Sequence, residues 1–152
     1  MDLDPTDKRL LAALQRDGQM TADALGRDLN LSPSQAGRRR QRLEERGVIR
    51  GYRAVLDPVA AGLGVEAFVQ IAMATHTEEN ARDFLRLCRT RAEIVGAWTL
   101  TGEADYLLRV FCGDLGDLNR LVQQTLLPHP AVSRVHSQIV MERVKSDAPL
   151  PL

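Results

Sequence analysis

Between Leu31 and Gly47 the chain specifies one short helix whose start, stop and charge can all be read from the residues. Ser32 is a good N-cap, and Pro33 suits the first helical position, where its missing N–H would have no partner anyway. Gln35, three residues after Ser32, can reach back to complete a capping box. Gly47 can take the left-handed conformation that ends a helix, with Val48 folding back onto Leu43. Between these signals stand Arg38, Arg39, Arg40 and Arg42, with Arg46 in the last turn. Guanidinium groups pair with phosphates and guanine edges, so a short, bounded, arginine-rich helix suits a DNA major groove.

The preceding residues place that helix in a larger unit. Asp4-Pro5 can cap a first helix with Leu10, Leu11 and Leu14 on one stripe, and Gly18 ends it. Thr21 can cap a second, with Ala22, Leu25 and Leu29 inward, and Asn30-Leu31 then makes a tight turn. Helix, short helix, tight turn and basic helix form the helix-turn-helix pattern. Val48 to Leu56 reads as a strand, a wing on which Arg50 and Arg53 reach backbone phosphates. An arginine run is more often a solvated face, but the charge is partitioned. Residues 1–56 hold 11 Lys and Arg against 8 Asp and Glu, and residues 57–152 hold 9 against 12. A whole-chain net charge of zero therefore hides a basic front and an acidic back, and phosphate binding needs only local positive charge.

Asp57 to Gly64, with one Pro and two Gly, reads as a linker, which sets the expected division: a head over 1–56, a linker over 57–64 and a second domain over 65–152. Val65, Ala67, Val69, Ile71 and Met73 alternate as in a strand. Thr77 caps a helix carrying Ala81, Phe84, Leu85 and Cys88. Ile94 to Leu100 and Asp105 to Phe111 are strand-like, joined by a turn at Thr101-Gly102-Glu103-Ala104. A second helix starts at Gly113-Asp114 with Leu115, Leu118, Leu121, Val122 and Leu126 inward, and stops at Pro128. Val132 to Met141 is the last strand. The order β-α-β-β-α-β is the ferredoxin-like unit, so the chain reads as α+β: a winged helix-turn-helix followed by a ferredoxin-like domain. Phe68, Ala72 and Ala74 point away from the Ala67–Met73 row and are also apolar. Both faces of that strand should then be buried, which predicts dimerisation through the sheet. Two linked heads would gain effective concentration on a palindromic site.

No apolar run approaches the ~20 residues of a membrane helix. The acidic N-terminus has no signal-peptide core, and two cysteines make no disulfide framework; a cytoplasmic protein is expected.

Several separated stretches, in order and spacing, resemble the Lrp/AsnC (leucine-responsive, feast/famine) regulators over nearly the whole length. They are Asp7-Lys-Arg-Leu-Leu-Ala-Ala-Leu14, Leu31-Ser-Pro-Ser34, Arg42-Leu-Glu-Glu-Arg-Gly-Val-Ile-Arg-Gly-Tyr52, Gly102-Glu-Ala-Asp-Tyr-Leu-Leu108 and Val140-Met-Glu-Arg-Val-Lys145. The resemblance implies a transcriptional regulator that binds double-stranded promoter DNA. It also implies a homodimer, often a higher oligomer such as an octamer, and a small effector, usually an amino acid, that changes assembly or DNA affinity. The DNA-contacting set is then Ser32, Ser34, Gln35, Arg38, Arg39, Arg42, Arg50 and Arg53. The turn Thr101, Gly102, Glu103, Ala104, Asp105 and Tyr106 resembles the effector loop. Backbone N–H groups beside Gly102 suit a carboxylate, and either Asp105 or Glu103 suits an ammonium group. His136, Ser137 and Gln138 of a neighbouring subunit would complete the pocket. Read without the family, the same turn is a plain hairpin turn.

One departure stands out. Arg40 occupies the face of Ala36 and Leu43, where the family usually has Ile or Val. It must snorkel to solvent or find a carboxylate. Gly37 is a second oddity, because glycine weakens a helix interior; either the helix packs unusually or Gly37 lets the DNA backbone approach. His76, His129 and His136 do not cluster, so neither metal nor cofactor is expected. Cys88 reads as packing, and Trp98 and Tyr106 as core. The competing reading is an enzyme: sirohaem decarboxylases share this architecture, but the arginine helix and scattered histidines argue for DNA binding without catalysis.

Overall fold

The computed structural model describes residues 2–74, 77–146 and 148–152, so His76 lies outside the described residues. The chain forms two compact units. One comprises residues 1–55 with 144–152, the other residues 56–143. The described residues among 144–152 cluster with the first unit. Gln15 holds them there: its Nε2 donates to the Leu150 carbonyl and its Oε1 accepts the Leu150 N–H.

In the first unit, α1 (Pro5–Arg16), α2 (Ala22–Leu29) and α3 (Pro33–Glu45) enclose a core of Leu10, Leu11, Ala13, Leu14, Leu25, Leu29, Ala36 and Leu43. Asp4, Thr21 and Ser32 cap the three helices, and the Ser32–Gln35 capping box is complete. Asn30 is left-handed at φ 56°. Its turn brings the Leu31 carbonyl so near Gly26 that a Cβ there would lie 2.8 Å from the oxygen. At the end of α3, Val48 N–H donates to Leu43 O and Gly47 N–H to Glu44 O, each at 2.9 Å. With Gly47 at φ 70° this is the paired closure of a Schellman motif.

The wing is a correction. Residues 48–56 form no strand, and Val55 and Leu56 are exposed. A strand needs a neighbour for its N–H and C=O groups, and the described residues of this unit provide none. The head is a helix-turn-helix with an irregular trailing segment.

In the second unit, β1 (Val65–Met73), β2 (Ile94–Thr99), β3 (Tyr106–Cys112) and β4 (Val132–Ile139) form an antiparallel sheet of order β2-β3-β1-β4. Helix α4 (Glu78–Thr90) and α5 (Leu115–Arg120), which widens into a π-helical turn at Leu121–Leu126, supply Phe84, Cys88, Leu118, Leu121 and Leu126 to the core against one sheet face. That face carries Ala67, Val69, Ile71, Leu108 and Val110, all fully buried. Leu115 was expected inward but is exposed: α5 begins at that residue, and within its first turn Leu118, not Leu115, faces the core. The last strand stops at Ile139, short of the exposed Met141. Tyr106 is core, its ring 5.0 Å from Phe84. Trp98 is not: it is half-exposed on the other face, folded over Gly96. That face also carries Phe68, Ala72, Leu107 and Phe111, only partly covered within one chain.

Candidate DNA interface and effector pocket

The helix spacing of α3 turns Ala36 and Leu43 into the core and leaves Ser34, Arg38, Gln41 and Glu45 on one exposed stripe. Ser32 and Gln35 flank the stripe, but their side chains are engaged in the capping box. Gln41 was absent from the expected contact set, although it falls three residues after Arg38 and seven after Ser34, a relation readable from the helical period alone.

The arginines of the run have different surroundings. Arg39 Nη1 lies 2.6 Å from Asp4 Oδ2 and 2.7 Å from Asp7 Oδ1. Arg42 Nη2 lies 3.1 and 3.2 Å from the two oxygens of Asp7. Asp7 is a buried carboxylate, its side chain only 6% exposed. The hydrogen bond from Arg39, then that from the Asp7 backbone, holds the Asp4 carboxyl below its ordinary range, and Asp4 and Asp7 in turn hold the Arg39 proton more firmly. Arg38 is exposed; its Nε donates to the Ser34 carbonyl at 3.3 Å, and it has no carboxylate partner among the described residues. Arg50 and Arg53 are exposed on the irregular segment, not on a strand.

Arg40 finds both of the expected escapes. Its Nε donates to Glu44 Oε1 at 3.0 Å, its Nη1 donates to the Met20 carbonyl at 3.0 Å, and its guanidinium stacks 4.6 Å from the Tyr52 ring centroid. Tyr52 Oη donates to the same Glu44 oxygen at 2.9 Å. Arg40 and then Tyr52 hold the Glu44 carboxyl below its ordinary range. This network pins the trailing segment in place of a strand. Gly37 faces α2, where a Cβ would meet only Ala22 Cβ at 3.7 Å. The glycine therefore serves no close approach within the head.

In the second unit, Glu103 and Ala104 of the Gly102 turn border a concavity of about 340 Å³, with Gln70, Ala72, Arg134, Val135 and His136. Gly102 has φ 121°, a backbone shape that favours glycine. Thr101 is exposed beside it. Asp105 is committed to the sheet: its Oδ2 accepts the Met73 N–H at 2.7 Å where the β1–β4 register shifts, and its own N–H donates to Ile71 O. Tyr106 points into the core. The pleat separates the β4 trio. His136 and Gln138 pair with Gln70 and Phe68 on the free face, whereas Ser137 pairs with Val69 and shares the helix-covered face. Arg134 was not foreseen, because only the pairing Ala72↔Arg134 brings it beside the turn.

A helix-turn-helix head and a sheet domain with a charged hollow beside a glycine turn define a two-module, ligand-responsive DNA-binding protein. Residues 3–44 match the AsnC-type helix-turn-helix domain and residues 66–150 the Lrp/AsnC ligand binding domain. The chain belongs to the Lrp/AsnC family of transcriptional regulators. It is 35% identical over 150 residues to the DNA-binding transcriptional activator DecR of Escherichia coli K12, covering 99% of each chain. It is 33% identical over 144 residues to the leucine-responsive regulatory protein of the same organism, covering 95% of this chain and 88% of that one. A Neisseria meningitidis transcriptional regulator, solved as its L-Met complex, superposes with a TM-score of 0.94 at 35% identity, covering 99% of this chain and 97% of that one.

Proposed function

We propose that α3 enters the major groove of double-stranded promoter DNA and that an amino acid in the hollow beside Gly102 changes assembly or DNA affinity. The effector half rests on one observation: a cation, Arg134, and a carboxylate, Glu103, line the same hollow of about 340 Å³. A zwitterion needs that pair, and the volume falls at the small end of ligand clefts, roughly 300–1,000 Å³. Arg134 takes the ligand carboxylate and Glu103 its ammonium; Asp105 supports the turn. The L-Met complex of the Neisseria relative supports the ligand class.

The partly covered Phe68, Leu107 and Phe111 on the free sheet face are the surface of a homodimer, which assembles further, up to an octamer. The protein works in the cytoplasm without catalysis. On the head, Ser34 and Arg38 face the groove, Ser32 and Gln35 present the helix N-terminus, and Arg42, Arg50 and Arg53 serve phosphates.

The test is a thermal-shift screen against the twenty amino acids. A ligand that binds only the folded state raises the melting temperature by mass action. At least one amino acid should do so, and Glu103→Ala and Arg134→Ala should each abolish the shift. No shift at millimolar concentration, or a shift that survives both substitutions, rejects this pocket.

A further inference from the structure

The arginine run of α3 suggests a helix that grips DNA with every guanidinium, but the acids of α1 divide the run. Asp7, almost wholly buried, bonds Arg39 and Arg42, and Asp4 bonds Arg39 again. Arg40 is spent on Glu44, Met20 and Tyr52. Arg38 alone in the run faces solvent without a carboxylate partner among the described residues, on the same stripe as Ser34 and Gln41.

We propose that Asp7 is a positioning residue for DNA recognition: it withdraws Arg39 from the DNA, orients Arg42 at the rim and leaves Arg38 as the guanidinium of the run that reads a base. This deepens the DNA-binding reading and rests on it. Free arginines pair with any phosphate and raise affinity for every sequence alike. One arginine with its fork unpaired and two uncharged neighbours, Ser34 and Gln41, reads base edges instead; the partner of such a fork is guanine O6 and N7. By holding Arg39, Asp7 lowers non-specific affinity more than specific affinity, and so acts on selectivity. Arg42 is still 44% exposed and gives Asp7 only one of its nitrogens, so its remaining donors can meet a phosphate.

The experiment measures binding of the intact protein, across a salt series, to a duplex selected for tight binding and to its scrambled counterpart. Each neutralised phosphate contributes roughly −0.9 to the slope of log K against log salt. Arg39→Met should leave that slope unchanged on both duplexes. Arg38→Met should lower the ratio of specific to scrambled affinity about tenfold and abolish preference at one guanine position. Asp7→Asn combined with Asp4→Asn, which keeps both shapes but removes both charges that hold Arg39, should tighten scrambled binding and steepen its slope by about 0.9 as Arg39 is released.

A slope that flattens by about 0.9 in Arg39→Met makes Arg39 a phosphate contact and overturns the proposal. So does Asp7→Asn weakening both duplexes equally at an unchanged melting temperature, which would mean that Asp7 supports contacts made to any sequence. Should Asp7→Asn fail to fold, the Arg39→Met slope and the Arg38→Met ratio decide. Wild-type protein that binds neither duplex in a salt-dependent way refutes the DNA-binding reading itself, a result none of the variant comparisons can mimic.

Discussion

Gly37 and Gly26 are both glycines inside helices of the head, and the same substitution should move stability in opposite directions. Glycine in a helix interior is worse than alanine by roughly 0.5–1 kcal/mol, because the unfolded chain loses more freedom on folding. At Gly37 the new Cβ would meet only Ala22 Cβ at 3.7 Å, an ordinary contact. Gly37→Ala should therefore stabilise the head by about 0.5–1 kcal/mol, roughly 2–8 °C in melting temperature for a small domain. At Gly26 the Cβ would lie 2.8 Å from Leu31 O and 3.3 Å from Pro33 N. These atoms are backbone, fixed by the Leu31 N–H donating to Gly26 O at 2.9 Å, so neither can move away alone. Overpacking of this kind costs typically 1–3 kcal/mol. Less the propensity gain, Gly26→Ala should destabilise by about 0.5–2 kcal/mol. The assay is urea unfolding of the intact protein followed by circular dichroism. DNA affinity should be unchanged in Gly37→Ala, since this residue faces α2. If Gly37→Ala destabilises the protein, or the two variants shift in the same direction, available space is not what distinguishes these glycines. If Gly37→Ala keeps its stability but loses DNA affinity, the glycine serves close approach of the DNA backbone instead.

Other outcomes follow from the same packing. Arg40→Ile should cost about 1–2 kcal/mol, because the ring stacking and the bond to the Met20 carbonyl are lost together; an equal or higher melting temperature would show that the network adds nothing. Phe84→Ala should cost about 3–5 kcal/mol, since the ring is fully buried between Tyr106 and His129; loss of cooperative unfolding in the sheet domain by calorimetry is the readout. Burial works against ionisation of Glu66, but Arg143 and Arg109, each at 2.7 Å, outweigh it and hold the carboxyl below its ordinary 4.5. A lowered folded pKa adds stability that is present above the ordinary value and lost as pH falls through the folded one. The urea midpoint should thus drop below about pH 4.5, and Glu66→Gln should reduce that drop; equal acid sensitivity in the variant would refute it. Burial pushes the Cys88 thiol up to about 11, so iodoacetamide at pH 8 should not label it in folded protein, and rapid labelling would contradict its burial.

What the residues determine alone is local. Capping needs only a side chain three positions from an N–H, so Asp4, Thr21 and Ser32 declared the three head helices, and Gly47 declared the end of α3. Alternation and 3.6-residue spacing likewise gave the β-α-β-β-α-β order, because burial on one face writes its period into the chain. The wing failed for a reason no local signal carries: Val48–Leu56 has strand-like residues, but pairing depends on a neighbour. The Leu115 error was one of phase, since a helix reveals its apolar stripe but not how its first turn meets the sheet. The site divides the same way. Gly102 and the arginine run were legible, as was the need for Arg40 to find a partner. Which acid faces the hollow, which β4 residues share it, and which arginines remain free were decided by register and by contacts between residues 32 to 61 positions apart, such as Arg39 with Asp7 and Ser133 with Ala72. Charge and spacing along a chain fix what a residue is able to do; only the tertiary fold decides whether another residue has already engaged it.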